Sequence, residues 1–159
     1  MKKILLALAL SFPILFTSCA SVNPAIANVP VGPDANLTKI SIYLLDIAKA
    51  TGAVQTSVIT ADQQKLMSDA NTFLVLNICT KVNTFVSQAS VITRGQVTLP
   101  AASRAQLNTL LTPIVAAFNT DMNNGLLGIT DTNTKTTISA SLLLVQTALV
   151  GIQSITGVN

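Results

Sequence analysis

Residues 34–52 read DANLTKISIYLLDIAKATG, and their spacing decides the fold class. Leu37, Ile40, Leu44, Ile47 and Ala48 recur at three- and four-residue steps, which gathers them on one face of a helix and scatters them over both faces of a strand. Asp34, directly after Pro33, offers a carboxylate oxygen to the first unpaired backbone N–H groups, and Gly52 is a weak helix former at the far end. A helix over about 35–51 is expected.

The same period recurs downstream. Thr60-Ala61-Asp62-Gln63 has the form of a capping box ahead of Leu66, Ala70, Phe73, Leu74, Asn77, Ile78 and Phe85, which predicts a second helix over about 61–88, apolar nearly all round at its middle. The stretch VITRGQVTLP at 91–100 has β-branched residues around Arg94-Gly95, as a small hairpin would, and is read as a loop. Ser103-Arg104-Ala105-Gln106 is a second capping box before Leu107, Leu110, Leu111, Ile114 and Phe118, so a third helix is expected over about 104–121. Pro113 removes one backbone hydrogen bond from it, and a kink or break near Thr112 follows. Asn123-Asn124-Gly125 and Gly128 read as the next turn. Ile138, Leu142, Val145, Leu149 and Ile152 mark a fourth helix over about 132–156, ended by Gly157. Four amphipathic segments with short connections are satisfied by burying each stripe against its neighbours, giving an all-α, four-helix-bundle-like single domain over 34–159.

Composition narrows the function. Half of the 159 residues are apolar and 9% are charged, so the exterior is built from Thr, Ser, Asn and Gln. Of nine basic side chains, Lys2 and Lys3 belong to the extreme N-terminus, which leaves seven against six carboxylates, scattered along the chain. A phosphate backbone requires clustered cations, and Tyr43 is the one aromatic with a polar handle, so nucleic acid is not an expected partner. There is no His, Glu or Trp. Without histidine no Ser-His-Asp or Cys-His unit can be assembled, and imidazole metal sites go with it. Asp62 and Asp69, seven residues apart and expected on one face of helix two, read as solvated surface charges rather than an acid–base pair. Asp121-Met122-Asn123-Asn124-Gly125 departs from the order of a calcium loop and no Glu closes it. Neither a phosphate-cradling nor a dinucleotide glycine motif occurs, so no cofactor is expected and the chain is not read as an enzyme.

The N-terminus carries an address. Met1-Lys2-Lys3 is cationic, Ile4 to Phe16 is apolar apart from Ser11 and Pro13, and Thr17-Ser18 are small and polar, which is the layout of an export signal over 1–18. Thirteen helical residues span roughly 20 Å, short of the ~30 Å hydrocarbon core, so this run is no lasting anchor.

Phe16-Thr17-Ser18-Cys19 resembles the lipobox of bacterial lipoproteins, with Phe16 standing where that family most often has Leu. The resemblance covers about the first twenty residues. It implies cleavage before Cys19, a diacylglycerol on the Cys19 thiol, usually a further acyl chain such as palmitate on the new amino group, and attachment to a membrane through those chains. Each buried methylene is worth about 0.8 kcal/mol and stable anchoring takes about two chains. Ala20 and Ser21 after the cysteine resemble the signal for delivery to the outer membrane. The alternative is an ordinary secretory signal cut after Ala25-Ile26-Ala27.

Residues 19–33 hold three prolines, one glycine and no charge, which predicts a flexible lipidated tether. With Cys19 acylated, Cys79 has no partner for an intramolecular disulfide and is expected as a small buried hydrophobe. The functional expectation is a non-catalytic envelope lipoprotein of the outer membrane or periplasm that binds or scaffolds an envelope protein or a second copy of itself. The alternative is a carrier of a small apolar ligand or lipid within the bundle.

Overall fold

A computed structural model describes residues 34–126 and 128–157, so the expected signal, Cys19 and the tether lie outside the described residues. Four helices form, α1 (Ala35–Gln63), α2 (Asp69–Thr93), α3 (Ala101–Leu126) and α4 (Thr132–Thr156), and no strand occurs among the described residues. Helix α1 packs on α2 and α4, α3 packs on α2 and α4, and among the described residues the backbones of the two diagonal pairs stay apart. This is a square bundle. The connections at 64–68, 94–100 and 127–131 are too short to return a chain along helices of about 40 Å, so sequential neighbours run antiparallel.

The core follows from a strict alternation of steps. On α1 the inward residues are Leu37, Ile40, Leu44, Ile47, Thr51, Val54, Val58 and Ala61, and on α4 they are Ile138, Leu142, Val145, Leu149, Ile152 and Thr156. Steps of three and four average 3.5 residues, the period that keeps one seam facing its partners along the whole length of a bundle. Phe85 on α2 and Phe118 on α3 fill the centre.

Helix α1 runs on past the expected stop at Gly52. A helical glycine costs about 1 kcal/mol, whereas burying Val54 and Val58 returns roughly 1.5–3 kcal/mol each, so the seam prevails. Thr60 therefore lies inside α1, its hydroxyl donating to the Thr56 carbonyl (2.9 Å), and does not cap α2. The α1 terminus is a Schellman turn: the Leu66 N–H donates to the Ala61 carbonyl, the Lys65 N–H donates to the Asp62 carbonyl, and Lys65 sits at φ 59°. Ser68 caps α2 instead, accepting from the Asn71 N–H (3.3 Å).

Two further expectations shift at α3. The helix begins at Ala101 after Pro100, with Ser103 buried inside it rather than capping it. It passes Pro113 without a break: the proline is exposed, and the carbonyl that loses its helical partner belongs to exposed Thr109. It also continues through Asn123-Asn124-Gly125, where a turn was expected, since the modest helix cost of those residues is outweighed by matching α3 to its long neighbours. The 91–100 stretch completes α2 and then turns at Thr93–Gln96. Arg94 (φ −61°, ψ 129°) and Gly95 (φ 74°) form a type II turn closed by the Gln96 N–H on the Thr93 carbonyl (3.2 Å).

Candidate functional site

The bundle ends are tied by polar contacts. Asp34 Oδ1 caps α1 by accepting from the Asn36 and Leu37 N–H groups (2.8 and 3.4 Å), while Oδ2 accepts from the Leu99 N–H (3.0 Å) in the α2–α3 connection. The Leu99 bond, more than any other contact, holds its carboxyl below the usual carboxylate range. Asp131 caps α4 through the Thr134 N–H (2.7 Å), which lowers its pKa in the same way. At that same end, opposite Asp34, Thr130 donates to the Leu66 carbonyl (3.5 Å), and Gly128 lies so close to Asn71 that a methyl group there would overlap the amide.

The sequence-derived candidates for chemistry do not converge. Asp62 stands on α1 and Asp69 on α2, on different helices rather than on one face, and Asp62 accepts from the Thr72 hydroxyl (3.0 Å). The helix break at 64–68 separates them. No group of three carboxylate or thiol side chains gathers among the described residues. Cys79 is buried, and desolvation pushes its thiol up to about 12, so it is a neutral packing group near pH 7. Around it, Thr51, Ile78, Val82, Phe118, Leu142 and Val145 pack without room for a water molecule. The Thr51 hydroxyl is buried there with no hydrogen-bond partner.

What remains is surface, and its unusual feature is apolar. Ile42 and Ile59 are exposed on α1, Phe73 (72% exposed) and Val91 on α2, Val97 in the connection after it, and Leu143, Leu144 and Val150 on α4. Helix α4 is long and apolar enough to cross a membrane by length and composition, yet 33% of its most apolar stretch is buried in the bundle. After Lys135 in its first turn it has no charged residue. Its packing against α1 is close, with Gly151 set beneath the ring of Tyr43.

The sequence alone could not separate these outer leucines from the core. Apolar residues occur all round α4, and only the inward seam of Leu142, Val145 and Leu149 leaves Leu143, Leu144 and Val150 outside. Comparison with protein-family models, with curated proteins and with solved structures returns no match.

Proposed function

We propose that this chain is a cell-envelope lipoprotein, held to the outer membrane through acyl chains on Cys19, whose helical domain acts by contact rather than by catalysis, binding or scaffolding another envelope component. The resemblance of Phe16 to Cys19 to a lipobox supports the anchor. The observation that carries the contact reading is the group of large apolar side chains that α4 leaves in solvent, Leu143, Leu144 and Val150, beside more scattered ones at Ile42 and Ile59 on α1, Phe73 and Val91 on α2 and Val97 after it, around a core that is otherwise filled. Leu143, Leu144 and Val150 lie within about two turns of one helix, and an exposed apolar group of that kind marks a surface that something covers.

The experiment is crosslinking and mass spectrometry on the native envelope, comparing the natural chain with Cys19→Ser. Recurrent crosslinks to one envelope protein that disappear with the anchor support the reading. Stoichiometric lipid extracted from detergent-free protein would replace it with the carrier alternative, and turnover abolished by Asp69→Asn would replace it with an enzyme.

A further inference from the structure

The longest uncharged stretches of the bundle lie on α3, between Arg104 and Asp121, and on α4 after Lys135. Lys39, Asp46, Lys49 and Asp62 lie on α1, and Asp69 and Lys81 lie on α2. On the α3–α4 side no charged residue occurs from 105 to 120 or from 136 to 157. These uncharged stretches are helical nearly throughout, about 24 Å and 32 Å long, and adjacent, because α3 packs on α4.

Three hydroxyls on the α4 exterior are bonded within their own helix. Thr136 donates to the Thr132 carbonyl, Thr147 to the Leu143 carbonyl and Ser154 to the Gly151 carbonyl, each at 2.8 Å. A hydroxyl bonded within its own helix enters an apolar medium without stranding its donor, which removes the main penalty for burying Thr and Ser. Between them project Leu143, Leu144 and Val150, 58%, 63% and 49% exposed.

The attachment point fits. Residues 20–33 join Cys19 to Asp34 at the start of α1, and fourteen residues reach at most about 46 Å. The start of α1 lies at the same end of the bundle as the close of α4, as the packing of Tyr43 on Gly151 requires. That reach exceeds the length of α4, so an anchored domain is able to lie along its side.

We infer that the outer face of α4 seats on the lipid bilayer, with Leu143, Leu144 and Val150 entering the boundary between headgroups and acyl chains. The inference rests on the proposed acylation of Cys19 and names the surface that this face meets. The helix lies on the bilayer rather than crossing it, because Leu142, Val145, Leu149 and Ile152 are committed to the core. Penetration of about 5–10 Å is the depth expected of such a face. The diagonal helix α2, with Phe73 and Val91, then faces the aqueous compartment, open to a protein partner.

The test uses the full-length protein purified from membranes and reconstituted into phosphatidylethanolamine–phosphatidylglycerol vesicles containing nitroxide-labelled lipid. An environment-sensitive dye is attached at Thr147→Cys on α4 or, as control, at Thr84→Cys on α2. Buried Cys79 does not compete for the dye, and acylated Cys19 has no free thiol. The expected result is quenching by the lipid nitroxide several-fold steeper at 147 than at 84, reduced towards the control by Leu144→Lys with unchanged helical content and melting temperature.

Equal, weak quenching at both sites on a protein whose mass includes the acyl chains overturns the seating while leaving the anchor intact. Dye incorporated at Cys19, with no acyl mass, overturns the anchor and the seating that rests on it. A blue shift at 147 that follows protein concentration and ignores nitroxide lipid assigns the face to a second copy of the chain and also overturns the inference.

Discussion

Replacing Gly151 with alanine tests the closest approach in the bundle. A methyl group on Gly151 would lie 2.7 Å from both Cε2 and Cζ of Tyr43 and 3.1 Å from Cε1, about 1 Å inside ordinary contact. Two effects oppose. Alanine is a better helix former than glycine by about 1 kcal/mol, while forcing a methyl group into packed space costs roughly 1–3 kcal/mol. The ring is flanked by the backbone of α4 and must tilt outward, so the steric effect dominates. Gly151→Ala is expected to destabilise by about 1 kcal/mol, a fall of about 4 °C in Tm for a domain of this size.

With Tyr43→Ala the obstacle is gone and only the helix gain remains. Gly151→Ala in that background should stabilise by about 1 kcal/mol, a coupling of about 2 kcal/mol between the two sites. Urea denaturation followed by helical circular dichroism on the four forms of the double-mutant cycle reads this directly. An effect of the same sign and size in both backgrounds would refute the claim that Tyr43 sits on Gly151.

Thr51→Val removes a buried hydroxyl that has no partner and keeps the side-chain shape, so urea denaturation should show a gain of about 1–2 kcal/mol. A loss would mean that the hydroxyl is bonded. Lys65→Gly relieves a side chain held at φ 59° and is expected to add about 0.5–1 kcal/mol, read as a rise in Tm. Asp34 and Asp131 both have pKa values lowered in the folded chain by the N–H groups they cap. Their contribution is therefore complete above the ordinary carboxylate pKa of about 3.9 and is lost as pH falls through the lower folded values. The urea midpoint should drop below about pH 4, and Asp34→Asn should flatten part of that drop. A midpoint unchanged between pH 5 and pH 2 would contradict the capping geometry.

The bundle was legible because its core is written as a stepwise pattern. Leu37, Ile40, Leu44 and Ile47 announce α1, and the range expected for α4 matches Thr132–Thr156, with Gly157 after it. The missed boundaries share one cause. Gly52, the Thr60 and Ser103 boxes, and Asn123-Asn124-Gly125 are local signals worth about a kilocalorie each, whereas the seam through Val54 and Val58 and the length of α3 are tertiary demands worth more. Of the candidate site, the lack of histidine was readable from composition, and Asp34 was recognisable as a cap from its place after Pro33. The separation of Asp62 from Asp69 was not, because it depends on a Schellman turn at Lys65, a residue type that does not advertise a left-handed backbone. The exposure of Leu143 and Leu144 emerged only once Leu142 and Val145 were fixed inward.

Every functional statement returns to the chemistry of one sulfur atom. The intact mass and N-terminal sequence of the protein isolated from its native membrane test it most directly. The account predicts a chain that starts at Cys19 and is heavier than its residues by a diacylglyceryl group and a fatty acid. A chain that starts at Asn28 with the mass of its amino acids alone would contradict it.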